Sequence, residues 1–139
     1  MHICSPQNAV VWEGKFNPAD RVIWVTARLH GPLGTRPYQF VLDTGCYRTI
    51  VDAGIVDELG YSPAQGKQVT RLVGAGSAMP GYTLVVDRLE TMGLHLDSFA
   101  VVCQDLPRDI GVDGLLGMDI IEGRVLTVDA KDGRVQLTW

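Results

Sequence analysis

Paired cysteines are missing from this sequence. Cys4, Cys46 and Cys103 are odd in number and widely scattered, so no zinc ribbon, C-x-x-C redox centre or disulfide framework is indicated and the thiols are expected to be free. Runs of Lys or Arg are missing too. The net charge of −4 comes from interspersed acids and bases, which excludes nucleic acid as a main partner and leaves no electrostatic footprint for an anionic membrane. No apolar stretch approaches the ~20 residues needed to cross a bilayer. Met1 to Asn8 lack the basic and apolar segments of a secretory leader, so the chain as given reads as soluble and cytoplasmic. His2, His30 and His95 show no ligand spacing, and Asp105, Asp109 and Asp113 belong to a solvated loop with no terminal Glu, so neither a metal nor a cofactor is called for.

What is present is turn-rich and apolar. The 139 residues hold 16 Gly and 7 Pro, with 46% apolar and 20% charged positions, the balance of one globular domain spanning 1–139. Short β-branched runs separated by turn signals predict strands at Ala9 to Trp12, Arg21 to Leu29, Tyr38 to Leu42 and Thr49 to Asp52. Further strands are predicted at Gln68 to Val73, Met79 to Val86, Leu89 to Met92 and Leu94 to Val102. The breaker Asn17 to Asp20 and the Pro- and Gly-rich stretch Gly31 to Pro37 read as loops. Ile55, Val56 and Leu59 at helical spacing before Gly60 predict a short helix over Ala53 to Leu59. After a loop at Gln104 to Asp113, Leu115 and Leu116 form a short strand, Met118 to Glu122 a helical turn, and Val125 to Trp139 a hairpin turning at Lys131 to Gly133. This is the pattern of a small all-β, barrel-like domain with one or two short helices.

One stretch stands out chemically. Phe40 to Gly45 reads FVLDTG, and it delivers a carboxylate, Asp43, to the end of a strand suited to burial. Gly45 then permits a close backbone approach or a positive φ around that carboxylate. A D-T-G triplet alone is expected by chance in roughly one chain in thirty of this length. Its company matters more. The glycine-rich segment Val73 to Gly81 (VGAGSAMPG) lies between strand-like flanks, and Val112 to Ile121 (VDGLLGMDII) follows downstream. No helix succeeds Gly74 and Gly76, so their G-x-G is not a dinucleotide fingerprint.

In order and spacing these three segments resemble the retropepsin-like aspartic proteases, the single-lobe family that includes the retroviral enzymes, and the LLGMD run is similar to that of its bacterial members. The resemblance covers about Val22 to Leu137. It implies a small closed barrel-like acid protease lobe with a flap hairpin. It further implies an aspartic endopeptidase in which Asp43, Thr44 and Gly45 form the catalytic loop, and Gly74, Ala75, Gly76 and Ser77 the flap over the substrate. Leu115, Leu116 and Gly117 would pack behind the loop. Arg48 and Met79 are expected to line substrate pockets. Metal-free peptide hydrolysis needs two carboxylates that share a proton. Asp113-Gly114 and Asp132-Gly133 lack the hydroxyl residue of the triplet, so the second carboxylate is expected from another copy, as a C2 homodimer acting on a peptide or protein.

The chain also departs from the family pattern. Cys46 stands where Ala or Ser is usual; packing is the commoner role for a small residue there, while a thiol beside the loop would make activity sensitive to oxidation. Tyr47 and Met118 stand where retroviral members have an acid and an Arg. Asp119 is expected to cap or pair locally, with no catalytic role. A catalytically silent peptide-binding or dimerisation module of the same fold is the alternative reading.

Overall fold

The computed structural model describes residues 11–73 and 77–139, and side chains are described throughout except at 68–73 and 77–79. The described strands are β1 Val11–Lys15, β2 Trp24–Gly31, β3 Gly34–Leu42, β4 Ile50–Asp52, β5 Lys67–Val73, β6 Ser77–Thr91, β7 Leu94–Gln104, β8 Gly114–Leu116, β9 Val125–Asp129 and β10 Arg134–Thr138. Two short helices, α1 Ala53–Glu58 and α2 Met118–Ile121, complete the set.

Alternation along β2 and β3 builds one side of the core. Val25, Ala27 and Leu29 of β2 point inward between exposed neighbours, and Tyr38, Phe40 and Leu42 of β3 face them. With Leu84, Val86 and Leu89 of β6 and Val101 and Cys103 of β7 they form one cluster. Each large aliphatic or aromatic side chain buried this way contributes about 1.5–3 kcal/mol. Neighbouring strands run β2-β3-β8-β4-β7-β6, and β6 pairs back onto β2 through Ala27↔Thr91 to His30↔Arg88, closing a six-stranded barrel. Strand β5 hangs on the free half of β6, while β1, β10 and β9 form a separate three-stranded sheet. No described helix is long and apolar enough to cross a membrane.

Most predicted elements are found, with boundary shifts. Asp52 caps α1 by accepting from the Gly54 amide at 3.1 Å, as a short polar side chain at a helix start does. The turn between β9 and β10 contains Gly133 at φ +70. Ala9 and Val10 of the first predicted strand lie outside the described residues. Two readings need correction. Gly31 to Pro37 is not a loop: only Pro32 and Leu33 intervene between β2 and β3, and Pro37 pairs with Arg28 inside β3. The physical reason is directional. Gln39 both donates to and accepts from Asp113, so Pro37, two residues earlier, aims its nitrogen to that same side, where β8 has not begun. The predicted strands Met79 to Val86 and Leu89 to Met92 are one strand, β6. It runs unbroken through Asp87 and Arg88, because Arg88 pairs with Asp97 of β7 and His30 of β2 at once.

Candidate active site

Strand β3 ends at Leu42, and the next residue carries the carboxylate of interest. The Asp43 amide donates to the Leu116 carbonyl at 2.9 Å, and the Asp43 carbonyl accepts from the Cys46 amide at 3.1 Å, which folds Asp43 to Cys46 into a turn. The Gly45 amide points back and donates to Asp43 Oδ1 at 2.9 Å. Half-buried Asp43 is thus held by its own loop, while Oδ2 has no hydrogen-bond partner among the described residues. Gly45 is not at positive φ. Its small size serves the close approach instead, since a Cβ there would lie 3.1 Å from Asp43 Oδ1. Thr44, Gly45 and Tyr47 are exposed around the carboxylate.

Strand β8 supports this loop. It runs parallel to β3, with Val41↔Leu115 and Leu42↔Leu116 as partners. Leu116 is fully buried in the core, whereas Leu115, one residue earlier on the opposite face, is half-buried. At Gly117 a Cβ would meet the Cys46 carbonyl oxygen at 2.6 Å and the Arg48 carbonyl carbon at 2.7 Å, so only glycine lets α2 begin this close to the loop.

A buried brace fixes the far end of the loop. Thr49 is fully buried; its amide donates to Asp119 Oδ2 at 2.8 Å and its hydroxyl to Asp119 Oδ1 at 2.7 Å. The Gly117 amide donates to Thr49 Oγ1 at 3.2 Å, and the Met118 amide to the Cys46 carbonyl at 2.7 Å. Asp119 therefore reaches across the fold to Thr49 instead of pairing locally. Sequence reasoning missed this; the only signal was an acid placed just after the LLG run.

Arg48 lies beside the loop and lines a cleft of about 500 Å³ with Lys67, Thr83, Val85 and Asp87. Ser77 and Met79 begin β6, where they pair with Val73 and Arg71. Gly74, Ala75 and Gly76, the predicted flap tip, lie outside the described residues. Cys46 and Cys103 form no disulfide among the described residues. The Cys46 thiol donates to the Arg48 carbonyl at 2.9 Å, while burial pushes the Cys103 thiol up to about 12, so Cys103 is chemically inert at neutral pH.

No curated protein matches the chain. Among solved structures it is similar to a retropepsin-like aspartic protease from Rickettsia conorii, at 15% identity and a TM-score of 0.69, over 100% of this chain and 98% of that one. It is also similar to the EIAV protease complexed with the inhibitor HBY-793, at 18% identity and a TM-score of 0.52, over 86% of this chain and 92% of that one. The retroviral protease-like domain of Ddi1 from Leishmania major matches at 11% identity and a TM-score of 0.55, over 78% of this chain and 81% of that one. The aspartyl protease family model matches residues 25–120, from the start of the first barrel strand through the Thr49–Asp119 brace. The chain belongs to the aspartyl protease family and folds as a retropepsin-like lobe.

Proposed function

We propose that this protein is an aspartic endopeptidase that works as a C2 homodimer, each copy supplying one Asp43. The observation that carries this reading is a single D-T-G carboxylate at a strand end. One of its oxygens is tied to Gly45 and the other is left without a partner among the described residues. Two such carboxylates meeting at a twofold axis cannot both ionise, the condition that aspartic proteases as a class exploit. The ionised member takes a proton from water as that water attacks the scissile carbonyl. The protonated member donates to the carbonyl oxygen, giving a tetrahedral diol. When the C–N bond breaks, a proton passes to the leaving amine.

Other residues have supporting roles in this reading. The exposed Thr44 turns its hydroxyl to the partner loop, and Leu115, Leu116 and Gly117 hold the loop from behind. Residues Gly74 to Ser77 close over the peptide and exclude water, with Arg48 and Met79 lining pockets. The reaction needs no cofactor. The test is Asp43→Asn, followed by sedimentation and by cleavage of a broad peptide panel. The variant is expected to remain a dimer and to cleave nothing, with at least ~10³-fold loss. Wild type and variant equally inert over the whole panel would refute catalysis and favour a binding module; a fully active monomer would refute the shared site.

A further inference from the structure

A continuous row of side chains links the Asp43 strand to the cleft at Arg48. The pairings Val41↔Leu115, Leu115↔Ile50, Ile50↔Val102, Val102↔Thr83 and Thr83↔Lys67 run across β3, β8, β4, β7, β6 and β5 in turn. Asp43 lies two residues beyond Val41, and Arg48 two residues before Ile50, so both belong to the row alongside. At ~4.8 Å per strand, Arg48 starts about 10 Å from Asp43. The cleft extends beyond it towards Lys67, with Thr83 and Val85 as its floor. An extended peptide lying across these strands advances about 3.3 Å per residue. Its side chain over this cleft belongs to a residue about three or four positions from the bond at Asp43.

The charges in the cleft are unbalanced. Neither the Arg48 guanidinium nor the Lys67 ammonium has an ionic or hydrogen-bonded partner among the described residues. Asp87 is the one acid in the lining, so the cleft carries two cations to one carboxylate. The Asp87 amide donates to the Tyr61 hydroxyl at 2.8 Å. That hydroxyl gives its own proton to the His30 carbonyl at 2.8 Å; burial raises its pKa, the Asp87 amide lowers it, and the Asp87 carboxylate raises it. Two unpaired cations at a polar, partly enclosed wall match a carboxylate, to which a guanidinium offers parallel donors.

We infer that this cleft is a subsite for an acidic side chain of the substrate, with Arg48 as the principal specificity residue and Lys67 as its support. The inference rests on the endopeptidase reading for its place in a reaction, but binding alone can test it. A positional-scanning decapeptide library is cleaved by wild type and, in parallel, bound by the Asp43→Asn protein. Asp or Glu is expected to be favoured over Asn or Gln by at least 10-fold at one position three or four residues from the cleaved bond. Arg48→Gln should abolish that preference, Lys67→Gln should weaken it, and Arg48→Glu should shift it to Lys.

The outcomes separate the two claims. Cleavage without acidic enrichment, or enrichment that survives both glutamine variants, overturns the subsite and leaves the endopeptidase standing. If nothing is cleaved, catalysis fails and binding decides. Acid and amide peptides held within 2-fold of each other by the Asp43→Asn protein overturn the subsite as well, while a 10-fold preference lost in Arg48→Gln supports it.

Discussion

Removing the Asp119 carboxylate tests whether the Asp43 loop is held by the brace behind it. Asp119→Ala leaves a fully buried Thr49 with an amide and a hydroxyl that both lose acceptors, at 2.8 and 2.7 Å. Each is a hydrogen bond to a charged group, and each orphaned donor costs about 1–3 kcal/mol. Asp119 itself is only half-buried, so water entering the vacated space offsets part of the sum. A net loss of about 3 kcal/mol follows. For a domain of this size about 4 °C accompanies each kcal/mol, so the melting temperature is expected to fall by about 12 °C. Asp119→Asn keeps one acceptor for Thr49 and should cost only about 1 kcal/mol. Urea titrations with calorimetry give both numbers. A double-mutant cycle with Thr49→Val should return a coupling of at least about 1 kcal/mol. An Asp119→Ala protein within about 1 kcal/mol of wild type would refute the brace.

Two further substitutions probe other parts of the barrel. Gly117→Ala drives a methyl group into the Cys46 and Arg48 backbone, neither of which is the far end of a flexible side chain. It should cost about 2 kcal/mol or more by urea unfolding, and a neutral result would mean that the approach of α2 to the loop is not tight. Glu90 sits at the seam that closes the barrel, with His30 Nε2 at 2.8 Å, and His95 Nδ1 and Arg88 Nη1 each at 3.6 Å. Burial pulls its carboxyl upward, but the His30 hydrogen bond and the charges of His30, His95 and Arg88 outweigh it and hold the pKa below the ordinary 4.5. A depressed folded-state pKa stabilises above the unfolded value and is lost as pH falls through the folded one. Wild type should therefore melt above Glu90→Gln at pH 6, with the gap closing below pH 4.5; a gap unchanged down to pH 3 would count against the seam.

What the sequence makes legible is what local chemistry decides. FVLDTG reads as a strand delivering an acid because its three apolar residues and its glycine act within six positions, and β3 ends at Leu42, directly before Asp43. The α1 helix and the Gly133 turn are local in the same sense. Long-range geometry is not. Asp119 and Thr49 are 70 residues apart, and nothing in either neighbourhood names the other. The β2–β6 pairing that closes the barrel depends on β6 changing partners along its length, which no window of residues records. Pro37 reads as a loop signal until the side to which its nitrogen points is known. Leu115 and Leu116 make the same point at the site itself. They are adjacent and chemically identical, yet register sends Leu116 into the core and leaves Leu115 half-buried in the row that leads to Arg48. A slip of one residue would exchange them and turn that row to the other face. The cleft is therefore a product of strand register, which is why Asp43 and a neighbouring Arg48 can be picked out of the sequence while the Lys67, Thr83 and Val85 that join Arg48 cannot.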